Sequence, residues 1–208
     1  MQRRWLRFGG RMQLTEIRVA GFGGQGVIMA AIVIGKAASI NEGGFATMTQ
    51  NFGPEARGGA CSAQVIVSNE PVLYPYVTSP DILVVMSQEA YGKFAPEVKK
   101  NGMLIIEQDL VRISNIPTGT RVYSCPATRI AEELGKKMVL NIVMVGFFAA
   151  VAKVLKPESL REAVLDSVPP AFKELNEKAF NAGFKYGIEH PDALPQHLSQ
   201  YDAVEVEA

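Results

Sequence analysis

Four glycines in six residues are the first feature of this sequence that could do chemistry. The stretch IRVAGFGGQGV runs from Ile17 to Val27, and within it Gly21, Gly23 and Gly26 satisfy the G-x-G-x-x-G spacing. A short apolar run precedes the glycines and a long apolar segment follows them. At such a junction glycines let the chain turn tightly and let backbone N–H groups approach a ligand. The start of the following helix adds free donors and a partial positive charge for an anion. Two readings stand here: an anion-binding turn, or glycines that serve close strand–helix packing with no ligand. A dinucleotide site would also need an acid at the end of the second strand, about 20 residues on, for the ribose hydroxyls. That strand ends at Thr49-Gln50; Glu42 comes too early and Glu55 sits inside the next glycine-rich loop, which argues against NAD.

That next loop, NFGPEARGGA from Asn51 to Ala60, is less generic. Gly53-Pro54 and Gly58-Gly59 frame one acid, Glu55, and one base, Arg57. A guanidinium held there could fork onto a phosphate or carboxylate, or pair with Glu55 or with another subunit. Glycine framing is poor packaging for an idle solvated arginine, so an interface or an anion site is expected.

The familiar catalytic parts are not seen. Both histidines, His190 and His197, lie near the C-terminus, and no His, Cys or Asp cluster has metal-ligand spacing. There is no G-x-S-x-G elbow, and Val27 follows Gly26 where a phosphate-binding loop would carry lysine. The two cysteines, Cys61 and Cys125, cannot build a four-thiolate site and are read as buried reduced thiols. These observations point to a subunit rather than a self-sufficient enzyme.

The elements that must position the loops follow from periodicity. EIRVAGF, FATMTQ, CSAQVIVS, DILVVMS, MLIIEQ and TRVYSCPAT read as strands, and VIMAAIVIGKAASI (Val27 to Ile40) reads as a helix covered on most sides. QEAYGKFAPEVKKNG is a short interrupted helix. ATRIAEELG opens a helical region that continues, after a break near Gly135–Lys137, through MVLNIVMVGFFAAVAKVL. Pro157 sits at a first helical position, and the spacing of Phe172, Leu175, Ala179, Phe180, Gly183 and Phe184 predicts a last helix. Strands alternating with helices predict an α/β fold: a single domain with a mostly parallel central sheet flanked by helices, and a C-terminal helical extension. The expected bounds are a ragged extension over 1–11, the domain over 12–190 and a loose tail over 191–208. Ligands of such sheets gather beyond the carboxyl ends of the strands, so the loops to watch are Gly21–Gly26, Asn51–Ala60 and Ser87–Tyr91.

Composition narrows the class further. The 208 residues carry 21 Lys+Arg against 21 Asp+Glu, which leaves no long-range field for nucleic acid. The longest uncharged apolar run, Met138 to Ala152, is short of the ~20 residues of a membrane span and contains Asn141. It reads as a core helix first and a subunit interface second, with Asn141 needing a hydrogen-bond partner or capping the helix start. A cytoplasmic protein with no membrane partner is expected.

Taken together, GFGGQGV and NFGPEARGGA about thirty residues later, with VSNEPVLYP following, resemble the gamma subunit of 2-oxoacid:ferredoxin oxidoreductases. The resemblance runs from Ile17 to Phe184 and includes PDILVVMSQEAYGKF and the MVLNIVMVGFFAAV helix. It is most similar to the 2-oxoglutarate synthase branch. The pyruvate, branched-chain 2-oxoacid and indolepyruvate branches are alternatives, and a free-standing dinucleotide-binding oxidoreductase is the alternative outside the family. The resemblance implies a holoenzyme that oxidatively decarboxylates a 2-oxoacid, transfers the acyl group to coenzyme A and passes electrons to ferredoxin. It places thiamine diphosphate, magnesium and the iron–sulfur cluster in partner subunits, alpha and beta with an optional ferredoxin-like delta, and leaves this chain inactive alone. Gly21, Gly23, Gly24, Gln25, Gly26, Arg57, Gly58 and Gly59 are then the candidate cofactor-binding residues, facing coenzyme A, with Gln50 as a further amide; no catalytic residue and no metal ligand is expected. The competing reading makes both loops interface elements only.

Overall fold

The computed structural model describes residues 14–51 and 59–192. The N-terminal extension, most of the second glycine-rich loop (including Glu55, Arg57 and Gly58) and the tail from 193, His197 included, lie outside the described residues, and with them the expected outer boundaries. The strands are β1 (Thr15–Phe22), β2 (Phe45–Asn51), β3 (Ala60–Ser68), β4 (Ile82–Val85), β5 (Met103–Glu107) and β6 (Arg121–Cys125). They form one sheet in the order β2-β3-β1-β4-β5-β6.

The expected parallel arrangement holds for β1, β4, β5 and β6. The sheet as a whole is mixed, because β3 runs antiparallel to both β1 and β2. Chain length explains this. Only residues 52–59 join β2 to β3, too few for the crossover that a parallel neighbour needs, so the chain returns as a hairpin. β2 is left as an edge strand, FATMTQN, with β3 as its partner.

The helices are α1 (Val27–Lys36), α2 (Gln88–Phe94), α3 (Ala127–Glu133), α4 (Leu140–Ala152), α5 (Pro157–Leu165) and α6 (Lys173–Glu189). The helix expected over Val27 to Ile40 is continuous but widens into a π-turn over Ala37–Asn41, where the Ser39 hydroxyl donates to the Gly35 carbonyl. The helices divide unequally over the two sheet faces. The larger core joins Ile17, Val19, Val84 and Ile105 to α1, α3, α4, α5 and α6. The smaller sets Ala20, Leu83, Val85, Leu104 and Ile106 against Ala90, Tyr91 and Phe94 of α2. β4 is covered on both faces, which is why it is apolar throughout.

α4 lies at the centre: every residue from Leu140 to Val151 is buried, which decides for a core helix. α6 packs directly along it. A Cβ on Gly146 would overlap the Phe180 carbonyl, and one on Gly183 would overlap the Val143 carbonyl, so the two backbones touch through glycine. The expected C-terminal helices, α5 and α6, are present and pack into the larger core. Within the smaller core one charge is buried. Arg18 of β1 pairs with Glu97, donates to the Val77 carbonyl at 2.8 Å and lies 4.8 Å from the Phe94 ring centre. It pins the crossover before β4 to the sheet. No helix among the described residues is long and apolar enough to cross a membrane.

Candidate functional site

The first and third loops singled out in the sequence, and the described ends of the second, Asn51 and Gly59–Ala60, meet at one end of the sheet. β1, β4, β5 and β6 all end there, and the antiparallel β3 begins there, with Ala60 opposite Phe22 and Cys61 opposite Gly21. Two hydrogen bonds tie this end together: the Met86 N–H donates to the Ala20 carbonyl at 2.9 Å, and the Ala60 N–H donates to the Glu89 side-chain carboxylate at 3.1 Å. Gly59 stands next to Ala60 at this same end.

The first loop is a tight turn, closed by the Gln25 N–H on the Phe22 carbonyl at 3.1 Å. Its glycines fall into two kinds. Gly21 and Gly26 are glycine because of their neighbours. A Cβ on Gly21 would come 2.5 Å from Gln25 Oε1 and 3.2 Å from Met86, and one on Gly26 would overlap the Asn141 amide. Gly26 also takes φ 73°, a left-handed conformation that starts α1. Gly23 and Gly24 have open space where a Cβ would stand, and Gly24 has φ 99°. Among the described residues no acceptor meets the N–H groups of Gly23 and Gly24. The turn thus presents bare donors just before the N-terminus of α1, whose first turn holds no acid.

Two amide side chains hold this turn from beneath. Gln25 accepts the Phe22 N–H at 2.7 Å and donates to the Met86 carbonyl at 2.9 Å, bridging the ends of β1 and β4. Its amide is thus engaged within the chain, and the donors that face outward are those of the backbone. Asn141, buried in α4, donates to the Gly26 carbonyl at 3.2 Å, which answers its need for a partner.

Beyond Met86, Ser87 caps α2 by accepting the Ala90 N–H at 3.3 Å. Gln88 brackets Arg112 in the loop after β5, its Oε1 accepting the Arg112 N–H at 2.6 Å and its Nε2 donating to the Arg112 carbonyl at 3.2 Å. At the next strand end the buried Glu107 carboxylate accepts three backbone N–H groups, from Asp109 (2.8 Å), Leu110 (2.6 Å) and Thr128 (3.0 Å). It ties the β5 loop to the start of α3. Gln50 lies exposed near the end of edge strand β2.

The chemistry available is binding. Burial pushes the Cys61 thiol up. Burial first, then the Glu107 and Asp109 carboxylates, hold Cys125 far above the ordinary thiol range. Neither is poised as a nucleophile. Among the described residues no three His, Cys, Asp or Glu side chains are grouped to hold a metal ion. His190 stacks on Tyr186 at the end of α6 rather than at the loops. Topology also bears on the dinucleotide reading. The strand beside β1 on the β2 side is β3, which runs the other way and ends at Ser68 on the far edge. The place of a ribose-binding acid is therefore not offered by a neighbouring strand end.

Sequence reasoning reached the loops, Gln88 within Ser87–Tyr91 included, but missed Arg112, Glu107 and the pairing of Gln88 with Arg112. That pairing spans 24 residues and the partners of Glu107 lie up to 21 residues away, and no motif links them.

The chain matches the family model described as pyruvate ferredoxin/flavodoxin oxidoreductase over residues 16–186. It is similar to the 2-oxoglutarate synthase subunit KorC of Methanocaldococcus jannaschii, with 43% identity over 84% of this chain and 94% of that one. The pyruvate synthase subunit PorC of the same organism is 30% identical over 84% of this chain and all of its own length. Among solved structures, the keto/oxoacid ferredoxin oxidoreductase gamma subunit of Geobacter sulfurreducens is similar with a TM-score of 0.76 and 36% identity, over 86% of this chain and 98% of that chain.

Proposed function

From the premise that the chain belongs to the pyruvate ferredoxin/flavodoxin oxidoreductase family, we propose that it acts on the coenzyme A side of a 2-oxoglutarate:ferredoxin oxidoreductase. The chain is a gamma subunit of a 2-oxoacid:ferredoxin oxidoreductase, one part of a multi-subunit enzyme. Identity supports the branch: set against two subunits of one organism, the chain is 43% identical to the 2-oxoglutarate one and 30% to the pyruvate one.

Alpha and beta subunits complete the active site in this reading, and ferredoxin takes the electrons. Thiamine diphosphate, bound with its magnesium by those subunits, supplies the carbanion chemistry. The donor set among the described residues fits neither that group nor a cluster, since Cys61 and Cys125 are buried apart and no three His, Cys, Asp or Glu side chains of those residues group to hold a metal. What this chain contributes is orientation. The backbone donors of Gly23 and Gly24, and the N-terminus of α1 behind them, receive an anionic or carbonyl group of coenzyme A. Gly59 stands at the same end of the sheet, and this reading assigns Arg57 of the second loop a charge contact with the same group. The carrying observation is that Gly23 and Gly24 alone in their turn face open space with unclaimed N–H groups.

Gly23→Ala tests this, because nothing lies within 4 Å of the added Cβ and the fold is left alone. In the assembled enzyme, purified from its host through a tag on this chain, activity is read as coenzyme-A-dependent reduction of a viologen dye. A raised KM for coenzyme A with intact assembly is expected, with 2-oxoglutarate the preferred substrate over pyruvate. Lost assembly with an unchanged KM in the residual enzyme would make the loop an interface element instead.

A further inference from the structure

We infer that Arg112 is a second anion contact of the same site, taking a phosphate of the coenzyme while the Gly23–Gly24 turn receives another part of it; this rests on the reading just given. Arg112 is not an isolated surface charge. The Met86 carbonyl accepts from Gln25, and two residues on, Gln88 takes both backbone groups of Arg112. Two glutamine amides thus stitch three successive loops in series, those after β1, β4 and β5. The glycine turn and Arg112 stand at the two ends of that stitch, on the side of the sheet where ligands gather.

The guanidinium itself is held in reserve. The Arg112 side chain is exposed, and its one hydrogen bond among the described residues is a long one, 3.4 Å to the Gln108 carbonyl. Arg18, Arg129 and Arg161 each pair with a carboxylate, Glu97, Asp109 and Glu177. Arg121 has none among the described residues, but it opens β6 at the opposite end of the sheet. The nearest acid along α2, Glu89, spends an oxygen on the Ala60 N–H. Arg112 is therefore the described arginine that is both at this end and without a carboxylate. A planar fork of donors on a backbone fixed at both its N–H and its carbonyl suits a phosphate. It has no use for the uncharged pantetheine arm. The class of ligand is a phosphorylated nucleotide, and the proposal assigns Arg112 to that end of coenzyme A.

The test uses the assembled enzyme with Arg112→Gln, Arg112→Lys and, in parallel, Gly23→Ala. The probes are coenzyme A as substrate and 3′,5′-adenosine bisphosphate, its nucleotide end, as competitive inhibitor. For Arg112→Gln the KM for coenzyme A and the Ki of the bisphosphate are both expected to rise about tenfold, the loss of one charged hydrogen-bonded contact. The kcat and the KM for the oxoacid should stay within about twofold. Arg112→Lys, which keeps charge but loses the fork, should fall between. An unchanged Ki, or loss of assembly without a change in Ki, overturns the inference. If Gly23→Ala raises the coenzyme A KM while Arg112→Gln does not, the inference falls and the glycine-turn reading stands. If Arg112→Gln raises the Ki while Gly23→Ala changes nothing, the turn is not a contact and Arg112 is retained as the phosphate residue.

Discussion

Asn141 and Gly26 are joined across 115 residues by a single hydrogen bond of 3.2 Å, and the same amide fills the space where a side chain on Gly26 would begin. The start of α1 and the middle of the core are thereby one mechanical unit. Gly26→Ala meets both this overlap and the left-handed φ, and is expected to cost about 2–3 kcal/mol. Asn141→Ala loses the bond and is expected to cost about 1–3 kcal/mol. In the double variant the amide overlap is gone and only the Cβ of residue 141 remains close, at 3.0 Å, so urea unfolding of the four proteins should give a coupling of about 1 kcal/mol.

Glycines on helices are expected to answer oppositely to alanine. Gly146→Ala or Gly183→Ala drives a methyl into a facing backbone carbonyl; each should cost about 3 kcal/mol or prevent folding. Gly92 in α2 is exposed with nothing near its missing Cβ. Gly92→Ala should stabilise by about 0.5–1 kcal/mol. Midpoints of denaturant unfolding at equal slope check both.

Alkaline pH should weaken the fold through Cys125. Burial and the flanking carboxylates raise its folded pKa, so the folded thiol stays neutral while the unfolded one ionises above about pH 8.5. This contribution is whole below that value and declines as pH rises beyond it. Stability measured at pH 7, 9 and 10 should fall more steeply in the native sequence than in Cys125→Ala, whose thiol is gone. Iodoacetamide should leave Cys125 unmodified in the folded protein at pH 8.

Glu107 offers a sharper case of a polar group kept for structure. Glu107→Ala leaves three N–H donors without their acceptor, with an expected cost of roughly 3–5 kcal/mol. Glu107→Gln keeps one acceptor oxygen and should lose less. Loosening should appear first as faster hydrogen exchange at Asp109, Leu110 and Thr128.

Much of the frame was legible because strand period and chain length are local facts. β4 reads as a buried strand from four consecutive apolar residues, and the three ligand-side loops follow from where strands end. The antiparallel β3 was also implicit, since residues 52–59 cannot carry a crossover, but the alternation of strands and helices drew the eye to a parallel sheet. What could not be read is which side chain meets which carbonyl. Gln25 looks like a free amide until Met86, 61 residues later, is placed beside it. Arg18 alternates like a solvent-facing strand residue, and it is buried because the crossover at Val77, the Phe94 ring and Glu97 close over it. Arg57 and Gly58, the most specific part of the sequence signal, fall outside the described residues.

The edge strand β2 carries a consequence for handling the chain. Its seven residues, FATMTQN, include no charge and no proline, and among the described residues its outer backbone groups have no strand beside them. Nothing in it repels a stray strand, which is how sheets come to grow between molecules. Produced without its partners, the subunit is expected to stick to itself by this margin first, and a lysine in place of the exposed Phe45 at the start of the strand is the simplest way to keep it in solution.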